Sequence, residues 1–457
     1  MYARTLVVAV AACIAAGCTS SPPDVLTQQA AERAVGLSSD EGIAFRGDAD
    51  PIDDAATEPE SLTAGDALRL SVRRSPKVQA AVTRVRMAQA DAQQARLLPN
   101  PVLSVAVRYP EAGIGKPVID AGVTGDLLTV LRRPGAISAA DAELRAASAA
   151  AVSVVLDVAT EAQERFYAIQ SLEAMLEGLR ERGRLLGRLL ELAETRLRIG
   201  EGTRLDVVTL QTQSIDLQTQ IADRELELRD ERLALARLIG QPSSQATWTV
   251  PGWAPISAPV QSEGAYLAMA ARSRPEIQER EWALAALGAR RRLASWDVLG
   301  GVDAGAEAER DGGWSVGPAL STAIPLFDFG QASRARAAAA QIEAQHELLA
   351  VRRQVVEEVR RAYATLVGTQ ANLDRVLSQL IPLQEARLQQ AEAQFRAGQT
   401  DITGLLMAEH DLRASRSQLV DLQRRVAIAR VRLERAVGGA GALAPDAAAS
   451  PSIQPNP

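Results

Sequence analysis

The residue types that carry enzymatic or metal chemistry are scarce in this 457-residue chain. It has two histidines, His346 and His410, and two cysteines, Cys13 and Cys18, and none of them stands at a spacing typical of a metal site. The sequence contains no glycine-rich phosphate loop. Nothing around the Glu307-Ala308-Glu309 stretch makes its two carboxylates a catalytic pair. The sequence therefore predicts neither an enzyme nor a cofactor.

The chemistry that the sequence does indicate is lipid modification of Cys18. Residues 6–16 form an apolar run behind Arg4 that is too short to span a bilayer and is typical of a secretory signal. The motif Ala15-Ala16-Gly17-Cys18 resembles a bacterial lipobox, in which the cysteine becomes the acylated first residue. Thr19 after Cys18 favours the outer membrane. A plain signal peptide cut near Ala16 is the alternative.

Composition narrows the class of protein. Aromatic residues make up only 3% of the chain and the net charge is −6. Long helices rich in alanine, leucine and arginine tolerate this composition, whereas compact cores need more aromatic residues. There is no basic excess for nucleic-acid binding. The mature part contains no run of eighteen apolar residues, so we expect no transmembrane helix.

The chain reads as a tandem duplication. Four short segments return in the same order at an offset of about 195–199 residues, among them Arg198-Ile199-Gly200 as Arg396-Ala397-Gly398. We therefore divide the chain into a signal peptide (1–17), an extended tether that begins with the lipidated cysteine (18–61), two repeats (62–250 and 251–438) and a disordered tail (439–457). A segment at residues 131–135 is expected to break the chain before a long helix, as is its counterpart at 326–330.

Each repeat predicts a long helical hairpin. Apolar residues recur every seven positions from Leu405 in the second repeat and from Val207 in the first, which is the period of left-handed coiled coils. The helical tracts 138–199 and 331–397 each end at a glycine turn, where Thr203 or Asp401 can cap the next helix. Pro382 predicts a kink in the second tract.

Each repeat also predicts two short strands, at 102–109, 122–131, 301–309 and 314–326. The third strand alternates small apolar residues with Asp303, Gly305, Glu307 and Glu309. A lipid-facing wall and a watery lumen explain this pattern; a hairpin lying on a soluble helical body is the alternative. Aromatic residues near the strand and helix ends fit two interfacial girdles, and these are Tyr109, Trp296, Trp314, Phe327 and Phe329.

Four strands cannot close a barrel by themselves. An open sheet edge in lipid leaves backbone groups unpaired, at a cost of several kcal/mol each. If the strands span the membrane, the chain must therefore oligomerise.

The duplicated layout resembles the TolC-like outer-membrane efflux family. The resemblance rests on residues 75–80, on Leu98-Pro99-Asn100-Pro101, on residues 324–330 and on the two glycine turns, and it covers about residues 62–438. It implies a mainly α fold with a small β part. Three copies would join four strands each into a twelve-stranded transmembrane barrel, continued by a trimeric α-barrel tunnel in the periplasm. It also implies a periplasmic adaptor (membrane fusion) protein and an inner-membrane pump as partners. The Leu98 stretch and the lipobox resemble the branch that serves resistance-nodulation-division pumps.

The resemblance assigns roles to residues at the tips of the helical hairpins. Contact with the adaptor is implied for six residues, which are Gly200, Thr203, Leu205, Gly398, Thr400 and Ile402. Asp206 matches a polar residue of the closed periplasmic entrance, where three copies would form a carboxylate ring. An acid that only begins a helix is the alternative for Asp206. Phe395 matches the family's aromatic residue before the second tip, and Asp401 can add charge there. Asp303, Glu307 and Glu309 would line the barrel lumen.

The sequence thus predicts an exit duct that passively conducts small molecules or metal ions out of a tripartite pump. A periplasmic coiled-coil adaptor is one alternative, but it should carry a lipoyl-like β-domain and a single hairpin. A porin-like channel should consist mostly of strands. The outer-membrane duct of a type I protein secretion system shares the same architecture and stays open as an alternative.

Overall fold

The computed structural model describes residues 21, 23, 27–36, 60–109, 116–242, 245–253, 261–311, 313–397, 399 and 402–443. The chain divides into two compact units, and each unit takes segments from both halves of the sequence. The sheet unit comprises residues 1–27, 81–151 and 275–352, and the hairpin unit comprises residues 28–80, 152–274 and 353–457. Two long helices contribute residues to both units.

Helices dominate both units, as the sequence predicts. None of the helices in the described part of the chain combines the length and the apolar character that are needed to cross a membrane. In chain order the helices are α1 (Thr27–Val35), α2 (Ala64–Arg74), α3 (Pro76–Gln94), α4 (Leu127–Arg198), α5 (Arg204–Leu238), α6 (Glu263–Ser273), α7 (Pro275–Ala294), α8 (Gln331–Arg375), α9 (Ile381–Arg396) and α10 (Ile402–Val437).

The sheet unit contains one four-stranded antiparallel sheet. Its strands are β1 (Val102–Arg108), β2 (Val118–Asp126), β3 (Val302–Asp311) and β4 (Gly313–Thr322), in the order β1-β2-β3-β4. Each strand pairs with its sequence neighbour, and the β2–β3 pair joins the two halves of the chain. Within the described residues, β1 and β4 are edge strands without a further partner.

Several predicted boundaries are wrong in this unit. The fourth strand is predicted at 314–326, yet β4 ends at Thr322. The second strand is predicted at 122–131, yet β2 begins at Val118 and ends at Asp126, and residues 127–131 are helical. The expected break at 131–135 is absent, since α4 begins at Leu127 and continues through Pro134. The reason is a cap: the Thr129 N–H donates to Asp126 Oδ1 at 2.9 Å, which starts the helix early. The matching segment 326–330 is non-helical, as predicted.

The hairpin unit contains a helical hairpin from each half. At about 1.5 Å per residue the 72 residues of α4 span roughly 110 Å. The second hairpin is interrupted by a π-helical turn, Val376–Leu380, immediately before the expected kink at Pro382. The Ile381 N–H bonds to the Val376 carbonyl, five residues back. A widened turn accommodates a proline ring, which has no N–H to donate.

The core of the hairpin unit lies where α4 and α5 meet the segment after α5. Trp248 is 1% exposed and packs with Leu62, Ile169, Leu235 and Ile239, which are all fully buried. The Leu62 N–H donates to the Thr249 carbonyl at 2.9 Å, and the Thr249 N–H donates to the Glu60 carbonyl at 3.1 Å, which joins this segment to the residues before α2. The base of the first hairpin is therefore firmly packed.

The predicted extended tether and the predicted disordered tail both contain helical residues. Residues 27–35, inside the predicted extended tether, form the helix α1, which buries Ala31 and Val35. The predicted disordered tail begins with a short 3-10 helix, Ala440–Leu443, and the rest of it lies outside the described residues. Gly439 and Gly441 allow this segment to approach the backbone of α1 closely.

Candidate functional site

The first hairpin tip is a tight reversal between α4 and α5. Gly200 has φ +79°, a left-handed conformation that favours glycine. The N–H groups of Glu201 and Gly202 both donate to the Arg196 carbonyl, at 2.9 and 3.1 Å. A Cβ at Gly202 would lie 3.0 Å from the Leu197 nitrogen. Both glycines are thus needed for the turn to be this tight.

A reciprocal capping box begins α5. The Asp206 N–H donates to Thr203 Oγ1 at 3.2 Å, and the Thr203 N–H donates to Asp206 Oδ2 at 3.2 Å. The Thr203 hydroxyl also donates to Asp206 Oδ2, at 2.6 Å. These bonds satisfy backbone donors that the first turn of a helix otherwise leaves unpaired.

The same contacts fix the charge of Asp206. The side-chain hydrogen bond from Thr203, then its backbone hydrogen bond, lower the pKa of Asp206 below its ordinary value. The side chain therefore stays ionised at neutral pH, and it is exposed. Asp206 acts as a helix-start acid, one of its two predicted roles, while its role in an entrance stays a prediction.

Apolar side chains stand out at this tip. Leu205 is 74% exposed, and Ile199, which the sequence analysis passed over, is 64% exposed. A large apolar side chain is therefore exposed on each side of the glycine turn. Their exposure at a turn, rather than their residue type, is what singles them out.

The second tip is described only in part. The Ala397 N–H donates to the Ala393 carbonyl at 3.0 Å, and the Gln399 N–H donates to the Gln394 carbonyl at 2.9 Å. Phe395 is 40% exposed. Gly398, Thr400 and Asp401 lie outside the described residues, and Ile402 is the first residue of α10. The predicted roles of these residues stay predictions.

The sheet has one apolar face and one acidic face. Asp303, Glu307 and Glu309 alternate along β3, and they lie opposite Asp126, Gly122 and Asp120 of β2. The sequence analysis missed Asp120 because it lies before the predicted start of this strand at residue 122, and it missed Asp126 because that residue is then the only acid within the predicted strand. Their pairing with Glu309 and Asp303 of β3 is what places these two aspartates on the acidic face. The opposite face is apolar apart from Arg310 at the β3–β4 hairpin end and Thr322 at the end of β4, and its apolar residues include Leu103, Val105, Ile119, Val123, Ala304, Ala306, Val316 and Leu320.

One cation partly balances the acidic face. Arg108 of β1 pairs with Asp120 of β2, its neighbour at the β1–β2 hairpin end. On the other face Arg310 lies over the ring of Trp314, 5.8 Å from its centroid. Tyr109 beside this hairpin is 78% exposed. Among the described residues no group of acids, histidines and cysteines is placed to hold a metal ion.

Comparisons with known proteins agree with this geometry. The sequence model of the family described as outer membrane efflux protein matches residues 67–241 and 266–439. The solved structure of the outer membrane protein VceC from Vibrio cholerae is similar, with a TM-score of 0.69, 21% identity, and coverage of 82% of this chain and 96% of VceC. No curated protein sequence matches the chain.

Two further solved structures share the fold. A membrane protein from Pseudomonas aeruginosa gives a TM-score of 0.71 at 18% identity, over 82% of this chain and 90% of that one. The open MtrE outer membrane channel of Neisseria gonorrhoeae gives 0.66 at 17% identity, over 82% and 89%. Since the family model covers more than half of the sequence, this chain belongs to the outer membrane efflux protein family, whose members are passive outer-membrane channels of tripartite pumps and not enzymes.

Proposed function

We propose that three copies of this chain form the outer-membrane exit duct of a tripartite efflux system. The observation that supports this most strongly is the sheet, which has a continuous apolar face, an acidic face and two edge strands. The apolar face would form the lipid-facing wall, and the acidic face would line a water-filled lumen. The edge strands would pair with those of neighbouring copies, so that no edge stays open in the lipid. Four strands from each of three copies give a twelve-stranded barrel.

The acidic face then lines the lumen. Asp303, Glu307 and Glu309, together with Asp120 and Asp126, would repeat three times around the barrel. A wall of one sign raises the local concentration of cations. The acidic lumen would favour the passage of cations without forming a binding site for them. Such a weak preference suits a passive duct for small molecules or metal ions.

The hairpin tips form the contact with a periplasmic adaptor and through it with an inner-membrane pump. Ile199 and Leu205 offer apolar contact beside Gly200, and Thr203 holds the turn in shape. Gly398, Thr400 and Ile402 would complete the surface from the second hairpin. A partner that offers an apolar helical hairpin end fits this surface best.

The periplasmic entrance lies at the same tips. Asp206 carries an exposed charge on a rigid first turn, so three copies would place three carboxylates around the entrance. Phe395 and Asp401 contribute from the second hairpin. Like charges held around a narrow opening favour cations and repel anions.

Acylation of Cys18 would anchor each copy in the outer membrane. We propose a partner pump of the resistance-nodulation-division type, because the lipobox and the Leu98-Pro99-Asn100-Pro101 stretch resemble those of the channels that serve such pumps.

Single-channel conductance of the purified protein in planar bilayers tests this proposal. We expect a cation-selective pore whose preference for cations falls in Asp206→Asn, which keeps an acceptor for the cap but removes the charge. Asp66→Asn is the matched control, because Thr63 and Asp66 form an identical capping box on α2, away from either tip. A protein that forms no pore contradicts the duct. If Asp206→Asn forms a pore with the properties of the wild type, the constriction lies elsewhere than at Asp206.

A further inference from the structure

Arg182 and His410 join the two helical hairpins. Arg182 lies on α4 and His410 on α10, 228 residues later, and the Arg182 Nη2 atom lies 2.5 Å from His410 Nδ1. A guanidinium has only donors, so Nδ1 must accept and must carry no proton. The contact therefore exists only while the imidazole is neutral.

Charged groups surround this contact on each packed helix. Asp216 of α5 lies near Arg182, and Asp411 and Arg413 flank His410 on α10. The nearby acids are already engaged: Asp411 pairs with Arg387 of α9 at 2.6 Å, and Glu409 pairs with Arg413 at 2.7 Å. Asp216 accepts from Gln220 at 2.7 Å. A proton on His410 would therefore meet Arg182 rather than a free carboxylate.

His410 is exposed on α10, and the helices packed beside it remove only part of its hydration. This partial desolvation, followed by the positive charge of Arg182, lowers the pKa of His410 below its ordinary value, and Asp411 opposes this. Burial likewise lowers the pKa of Arg182, with Asp216 opposing and Arg413 adding to the effect. Both lowered pKa values show that the surroundings of the contact disfavour positive charge. Arg182 already carries a positive charge, so the site disfavours a second one on His410.

The contact lies at a joint between the hairpins. Leu406, one turn before His410, packs on the first hairpin's cluster of Leu186, Leu210 and Leu217. The second hairpin contains the π-helical turn Val376–Leu380, and such turns are frequent at hinges and functional sites. The first hairpin is continuous through α4. Movement of the second hairpin about its π-helical turn would separate Arg182 from His410.

We propose that Arg182 and His410 form a pH-sensitive latch, which holds the two hairpins together at neutral pH and releases them when His410 is protonated. This inference rests on the proposed function, because release would widen the periplasmic entrance of the duct. The latch is at full strength above the ordinary histidine pKa of 6.5. It weakens as the pH falls below that value, because the released state then binds the proton more tightly than the latched state.

The chain offers a clean test because His346 is its only other histidine. His346 lies exposed on α8, so His346→Asn is the matched control. His410→Asn keeps an acceptor for Arg182 but cannot be protonated, and His410→Lys imitates the protonated ring. Conductance of the full-length protein is compared between about pH 7.5 and about pH 5, the range in which histidine titrates.

We expect a several-fold rise in conductance at the lower pH for the wild type and for His346→Asn. We expect a low, flat response for His410→Asn and a high, flat one for His410→Lys. A wild type that does not respond to pH overturns the latch, and so does a His410→Asn variant that keeps the full response.

A second measurement needs no pore. Spin labels at the exposed positions Arg184→Cys and Met407→Cys report the distance between the hairpins by pulsed electron paramagnetic resonance. We expect the distance to lengthen at about pH 5, and not in the His410→Asn background. An unchanged distance overturns the latch even if the protein forms pores. A lengthened distance without any pore supports the latch and contradicts the duct.

Discussion

Thr203 and Asp206 cap each other at the first turn of α5, through three hydrogen bonds of 2.6–3.2 Å. The same arrangement joins Thr63 and Asp66 at the start of α2. In both places a threonine is followed three residues later by an aspartate, and the pair satisfies orphan backbone donors. What differs is the location, since only Asp206 lies at a hairpin tip. Its charge is held at a fixed point by a local motif.

Loss of this cap should loosen the first tip. Thr203→Ala removes one acceptor and one donor, and such substitutions typically cost about 1 kcal/mol of helix stability. Hydrogen exchange of residues 204–207 should accelerate several-fold, while Thr203→Ser should exchange like the wild type. Because the pKa of Asp206 is lowered, its contribution is complete above the ordinary value of 3.8 and is lost only as the pH falls through the lowered pKa. Protection should therefore not change between about pH 5 and 8. Equal exchange in both variants would contradict the role of the cap.

The sequence predicts those features whose signals are local. Glycine turns, capping residues and the alternation of β3 lie within a few positions of one another, so the tips and the two faces of the sheet follow from them. The start of β2 was misplaced because its register is set by β3, about 180 residues away. The contact of Arg182 with His410 depends on how two hairpins stagger, which no local pattern records.

Arg274 should be a main determinant of stability at the base of the second hairpin. It is 5% exposed, donates to the carbonyls of Arg435 and Ala436 at the end of α10, and pairs with Glu358 at 2.5 Å. Arg274→Ala should cost about 2–3 kcal/mol, because two helix-end carbonyls and a half-buried carboxylate lose their donor.

The control is the exposed pair of Arg360 with Glu263, whose loss should cost less than about 0.5 kcal/mol. Thermal unfolding followed by circular dichroism compares the two variants. Equal shifts in melting temperature would contradict the structural role of Arg274.

Gly439 should be needed for α1 to pack. It has φ +104°, and a Cβ there would lie 2.1 Å from the Ala34 carbonyl oxygen. Gly439→Ala should therefore release α1, which limited proteolysis within residues 27–35 detects. Gly368→Ala, inside α8 with open space around it, should instead stabilise the chain by up to about 1 kcal/mol. Two variants that behave alike would show that the close approach at Gly439 does not matter.

The acidic face should set the charge preference of the pore. The triple variant Asp303→Asn, Glu307→Gln and Glu309→Gln should lower the ratio of cation to anion permeability, measured from reversal potentials in a salt gradient. The difference from the wild type should shrink in concentrated salt, because screening shortens the reach of fixed charges to about 3 Å at 1 M. Glu357→Gln, an exposed change on α8, is the control. An unchanged ratio would place these acids outside the lumen.

The central claim is that the strands span the outer membrane while the helical tips lie in the periplasm. Labelling of intact cells with a membrane-impermeant maleimide tests it most directly. Gly313→Cys, at the β3–β4 hairpin where a side chain meets no neighbour, should label in intact cells. Ile199→Cys, at the first helical tip, should label only after the outer membrane is permeabilised. Labelling of both positions only after permeabilisation would contradict the claim, since the whole chain would then lie in the periplasm.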